Sequence, residues 1–153
     1  LAFLHDEADL THNDVTLENL LVVGGRLLLS DFGLVRAVSD GSPGGVGKTS
    51  YLAPEALKGD VEDSRPCDVW SAGVCLFTLL AGSPPFTIAN SLCPSFSLFC
   101  RDPKTFVDWV TGGDFPRKPS PTALHFVLSM LAVNPEARPT VAELRKADWL
   151  TEA

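Results

Sequence analysis

A chain of 153 residues, 45% of them hydrophobic, is long enough to bury a real core and fits one domain or a large piece of one. Its formal net charge of -7 argues against a nucleic-acid partner, whose phosphates require a basic face. Cys67, Cys75, Cys93 and Cys100 form no Cys-x-x-Cys pair and share no metal-ligand spacing. Cys67 and Cys75 flank or sit within an apolar helical run and are read as reduced core residues.

In chain order, the opening Leu1-Ala2-Phe3-Leu4-His5 has no basic segment ahead of an apolar stretch, so no secretory signal is read and the expected compartment is cytoplasmic. Leu1, Leu4 and Ala8 share one helical face, and the chain enters that helix abruptly without an initiator Met, as a piece of a longer chain would. The apolar runs 20–23 and 26–29 flank Gly24-Gly25, a pair that tolerates the positive φ of a type I′ turn, so they predict a hairpin. That hairpin carries Asn19 at its entrance and Asp31 at its exit, bringing together residues twelve positions apart. Residues 38–47, rich in Ser, Gly, Asp and Pro, have the composition of a mobile loop.

A short helix is predicted from Pro54 to Lys58, with Pro54 tolerated in its first turn. Asp68 to Ala81 reads as a helix apolar nearly all round, hence central and buried, and Gly82-Ser83-Pro84-Pro85 ends it. Its apolar stretch is too short to cross a bilayer, so no membrane segment is expected. Residues 87–101 suggest no element. Helices follow from Pro103 to Thr111 and after Ser120-Pro121, and Thr140 with Glu143 forms a capping box that opens the last one. The expected architecture is mainly α with one small β-hairpin, without internal repeat or second domain.

The chemistry concentrates in His12-Asn13-Asp14-Val15-Thr16-Leu17-Glu18-Asn19, Asp31-Phe32-Gly33, Ala53-Pro54-Glu55 and Asp68-Val69-Trp70-Ser71-Ala72-Gly73. These motifs, in this order, resemble those of the protein kinase family over nearly the whole chain. The resemblance is to the C-terminal lobe of the α+β kinase fold, so residues 1–153 are expected to form a partial kinase domain lacking the N-terminal lobe. It implies a phosphotransferase that uses ATP and magnesium to phosphorylate a protein hydroxyl. Glu18 before Asn19, together with Tyr51-Leu52-Ala53, is similar to serine/threonine rather than tyrosine kinases. By the same resemblance Asp14 is the catalytic residue that orients the acceptor proton, and Asn19 and Asp31 hold the metal and cofactor. Two oxygen ligands suit magnesium, which keeps several waters and bridges phosphates. His12, Phe32, Gly33, Glu55, Asp68 and Arg138 are expected as structural support: a His12–Phe32 stack, a buried Glu55–Arg138 pair, and a carboxylate at Asp68 holding the catalytic loop through backbone N–H groups.

Several positions depart from the family. Asn13 replaces the arginine that pairs with a phosphate on the activation loop, so loop phosphorylation is not expected to act through that contact. Thr16, counted with the cofactor-binding positions, replaces a lysine that neutralises the transferred phosphate. Leu17 replaces a proline. Lys48 replaces a threonine and is a candidate to reach the active site in compensation for Thr16. The Gly-rich loop, strand lysine and helix glutamate of the family are not in this sequence, so the isolated chain is expected to be inactive. Leu20, Leu21 and Phe32 should then lie on a partly apolar exposed surface. The alternative reading is a kinase-like scaffold or binding module without phosphotransfer.

Overall fold

The structure is a computed structural model that describes residues 1–40, 45–59, 61–113 and 115–151. Its strands are β1 (Leu10–Thr11), β2 (Leu20–Val23), β3 (Arg26–Leu29) and β4 (Arg36–Ala37). The predicted hairpin is present, with β2 and β3 paired from Leu20↔Leu29 to Val23↔Arg26. Gly24 and Gly25 take φ of 56° and 75°, the two positive values a type I′ turn demands. The expectation of a single hairpin is corrected by a second antiparallel pair, β1 with β4, in register Leu10↔Ala37 and Thr11↔Arg36. Two-residue strands carry no alternating pattern, so nothing in the local sequence announces them.

The helices are α1 (Pro54–Lys58), α2 (Arg65–Ala81), α3 (Pro94–Arg101), α4 (Pro103–Gly112), α5 (Pro121–Met130), α6 (Val141–Leu144) and α7 (Asp148–Thr151). The opening helix shrinks to one wide turn, Phe3–Glu7, closed by Ala8 N–H donating to Phe3 O at 3.0 Å. α2 starts three residues earlier than predicted. Pro66 falls in its first turn, where a missing N–H costs nothing, and the Asp68 carboxylate is turned toward the loop at His12 instead of capping the helix.

α2 is the central rod, with Trp70, Phe77 and Ala81 fully buried. Against α5 there is no room for a side chain at residue 73: a Cβ on Gly73 would stand 3.0 Å from both Leu131 Cδ2 and Met130 Cβ. The opposite face of α2 joins an aromatic core in which Phe99 meets Phe106 at 5.1 Å and Phe86 meets Phe96 at 5.2 Å between ring centroids. Helix α3, which supplies Phe96 and Phe99, lies in the stretch that suggested no element. Its signals, Pro94 at the first position and two apolar residues three apart, are diluted by Ser95 and Ser97.

Ser120 caps α5 as expected, its Oγ accepting from Ala123 N–H at 3.2 Å. The Thr140–Glu143 capping box also forms, but it opens only the single turn α6, and α7 follows as a separate turn. Of the predicted mobile loop, 38–40 form a short 3-10 turn and 41–44 lie outside the described residues. All four cysteines are free, and burial pushes the Cys75 thiol up to about 12, as a reduced core residue requires. No helix among the described residues is long and apolar enough to cross a membrane. The hairpin is open to solvent, with Leu21, Val22, Val23, Leu27 and Leu28 exposed. Of the expected apolar surface, Leu21 and Phe32 are exposed but Leu20 is half-buried, because it enters the first strand pair of the hairpin next to the loop.

Candidate active site

The loop between β1 and β2 is fixed from below by one carboxylate. Asp68, 1% exposed on α2, accepts from His12 N–H at 2.7 Å through Oδ2 and from Asn13 N–H at 2.8 Å through Oδ1. His5 Nε2 adds a third contact to Oδ2 at 2.9 Å. Three contacts on this one buried carboxylate fix the position of the loop. His5 was not anticipated from the sequence, where nothing marks a histidine seven residues ahead of His12 as its neighbour in space.

His12 is fully buried, and its ring is engaged at both nitrogens. Asp14 N–H donates to Nδ1 at 3.3 Å, so Nε2 carries the proton and donates to Ser30 O at 3.1 Å. The ring also meets Phe32 edge-on, 5.2 Å between centroids at 65°. These contacts leave His12 no capacity to act as a base toward a substrate. It joins the loop to the segment after β3.

Asp14 and Asn19 are in direct contact. The Asn19 amide donates from Nδ2 to Asp14 O at 2.9 Å and to Asp14 Oδ2 at 2.8 Å. With both N–H bonds given to Asp14, the Asn19 amide oxygen is the atom left to serve a cation. A 3-10 turn, Leu17–Asn19, closes the loop with Asn19 N–H on Thr16 O at 3.1 Å.

Asp31 arrives from the other hairpin end. Ser30 donates to Asn19 O through both its backbone N–H, at 2.9 Å, and its hydroxyl, at 3.0 Å. Asp31 follows in an exposed left-handed turn at φ 60°, with Oδ1 accepting from Gly33 N–H at 3.2 Å. Ser30 is thus the link that carries Asp31 to within one residue of Asn19. Its only sequence signal is its place immediately before Asp31.

Thr16 is placed differently from the other expected cofactor positions. It is 1% exposed, and its Oγ1 has no hydrogen-bond partner among the described residues. The side chain is buried in the domain. The ammonium of Lys48, the candidate to compensate for Thr16, pairs with Glu18 Oε1 at 3.0 Å, both side chains being about half exposed. That hydrogen bond is the main reason the Glu18 carboxyl lies below its usual range, and Tyr51 OH adds a longer contact at 3.4 Å. Gly47 lies against the loop at residues 12–19 with φ 105°, where a Cβ would stand 3.1 Å from Asn13 O and 3.5 Å from Asp14 Oδ1.

Farther off, Glu55 on α1 meets Arg138 as a two-point ion pair at 2.5 and 2.8 Å. Burial works to raise the Glu55 carboxyl, but the guanidinium's hydrogen bonds and charge outweigh it and hold the carboxyl below its ordinary range. Arg138 also lies 4.9 Å from the Trp70 ring centroid, which ties the pair to the core.

No group of three or more His, Cys, Asp or Glu side chains able to hold a metal occurs among the described residues. One carboxylate and one amide oxygen still fit magnesium, which takes most of its remaining oxygens from phosphates and water. A cavity of about 580 Å³ bounded by Gly82, Phe86, Trp109 and Phe115 shares no lining residue with Asp14, Asn19 or Asp31.

A family model described as "Protein kinase domain" matches residues 1–150. Calcium/calmodulin-dependent protein kinase type II of Caenorhabditis elegans is 33% identical over 162 residues, covering 98% of this chain and 21% of the relative. CBL-interacting protein kinase 9 of Oryza sativa subsp. japonica is 34% identical over 144 residues, 90% of this chain and 29% of its own length. Serine/threonine-protein kinase CHK1 of Mycosarcoma maydis is 33% identical over 159 residues, 100% of this chain and 23% of the relative. The chain thus spans less than a third of the length of these curated relatives. The match over residues 1–150, with the loop and hairpin geometry described above, establishes that the chain belongs to the protein kinase domain family.

Proposed function

We propose that this chain forms the C-terminal part of a serine/threonine protein kinase domain, transferring the γ-phosphate of ATP to a hydroxyl of a protein substrate in its full-length protein. The observation that supports the reading is the hydrogen-bonded run from Asp14 through Asn19 to Ser30, the residue that precedes Asp31. Phosphoryl transfer asks a protein for position and charge compensation more than for covalent chemistry. Asp14, half-buried and oriented by the Asn19 amide, would receive the acceptor hydroxyl's hydrogen bond and align its oxygen. Asn19 Oδ1 and Asp31 would hold magnesium, which when bound supplies charge neutralisation at the phosphate oxygens. The names of the relatives support serine/threonine specificity, and the proposed compartment remains the cytoplasm on the sequence expectation.

The scaffold reading draws on one specific observation, the inward Thr16, which leaves the family's lysine charge unsupplied. The same experiment separates the two. The full-length protein should transfer phosphate from Mg-ATP to a generic basic protein substrate, and Asp14→Asn should reduce transfer at least about a hundredfold while leaving the thermal midpoint within about 2 °C. Transfer that survives Asp14→Asn, or a wild-type protein without transfer, would overturn the kinase reading.

A further inference from the structure

Two non-glycine residues at the site adopt left-handed backbone, Asn13 at φ 63° and Asp31 at φ 60°. Asparagine and aspartate both enter this region more readily than other non-glycine residues, and the hydrogen bonds around each one select it here. The five residues 30–34 contain Asp31 and are anchored at both ends. At one end Ser30 is bound to Asn19 O. At the other, Asn13 Nδ2 donates to Leu34 O at 3.1 Å, and it also contacts Thr11 Oγ1 at 3.0 Å and Thr11 O at 3.4 Å. Asn13 is itself fixed by its backbone N–H on Asp68.

We infer that Asn13 is a positioning residue for Asp31: its uncharged amide ties Leu34 to the catalytic loop and so maintains the left-handed turn that presents the Asp31 carboxylate. This deepens the proposed function and rests on it for the role of Asp31. The clamp follows from one side chain. An amide donates two hydrogens from one nitrogen, and both directions here end on acceptors, Leu34 O and the Thr11 oxygens. Thr11 belongs to β1, whose partner β4 begins two residues after Leu34. Asn13 thus closes the same gap that the β1–β4 pair spans, and the two reinforce each other. Because no charge is involved, the clamp is insensitive to salt.

The test uses the full-length protein with two variants. Asn13→Gly retains access to the left-handed φ and to the Asp68 contact but removes the amide. Asn13→Asp retains the size and replaces the donor by a carboxylate facing carbonyl oxygens. Hydrogen exchange at Val35 N–H, which donates to Phe32 O, and at Val38 N–H, which donates to Asp9 O, reads the clamp without turnover. Both variants should exchange there about fivefold to tenfold faster, the range expected when a single net hydrogen bond is lost. Calorimetric affinity for ADP with magnesium should fall by roughly the same factor, with affinity for ADP alone unchanged. Exchange that matches wild type in both variants overturns the clamp. A clamp that opens while binding weakens equally with and without magnesium overturns the assignment to Asp31. If the wild-type protein binds no Mg-ADP, the kinase reading fails instead, and the exchange arm still decides whether Asn13 holds Leu34.

Discussion

Removing the charge of Glu55 should be among the most damaging single changes to this domain. The Arg138 side chain is fully buried and donates to both Glu55 oxygens, to Ala132 O at 2.7 Å and to Pro66 O at 2.9 Å. Glu55→Gln conserves the volume but leaves the buried guanidinium without a counter-charge. Breaking one partner of such a pair costs about 3–5 kcal/mol, a large part of the roughly 5–15 kcal/mol that stabilises a domain. With a urea m-value near 2 kcal/mol/M, the unfolding midpoint should fall by about 1.5–2.5 M. Glu55→Gln combined with Arg138→Met removes both charges and should lose less than the sum of the two single changes. Acid adds an independent check. The folded carboxyl lies below its ordinary 4.5, so its contribution is complete above that pH and disappears as pH falls through the folded value. The fall in stability below pH 4.5 should therefore be shallower in Glu55→Gln. A midpoint shift under about 0.5 M in urea, or an unchanged acid limb, would refute the reasoning.

Asp68→Ala should strip His12 N–H and Asn13 N–H of their acceptor at about 1–3 kcal/mol each, and hydrogen exchange should show these two amides losing protection first. Gly47→Ala forces a side chain onto φ 105° and against Asn13 O. It should destabilise by about 1–3 kcal/mol and lower phosphate transfer more than a distant change of equal cost, measured by urea unfolding beside the transfer assay. On the open hairpin, Val22→Lys with Leu27→Lys should reduce self-association of the isolated chain in sedimentation experiments without lowering its thermal midpoint, since both side chains face solvent.

Much of this protein was legible in the sequence because local chemistry settled it. Gly24-Gly25 has few alternatives to a type I′ turn, Ser120-Pro121 and Thr140 with Glu143 set helix starts, and the apolar run ending at Ala81 had to be central. The order of the motifs was enough to nominate Asp14, Asn19 and Asp31. Tertiary structure decided what depends on partners distant along the chain. The β1–β4 pair has too few residues to show a period, and α3 is held by the aromatic core it completes more than by its own serine-diluted pattern. The direction of a side chain is equally invisible locally. Thr16 turns inward, Lys48 is drawn to Glu18, and Asn13 reaches Leu34, each according to which donor, acceptor or packing surface the folded chain brings near. Residue types and their spacing determined which chemistry this chain could hold. The fold alone determined which of those groups meet, because a hydrogen bond or ion pair forms only where two distant segments arrive within about 3 Å.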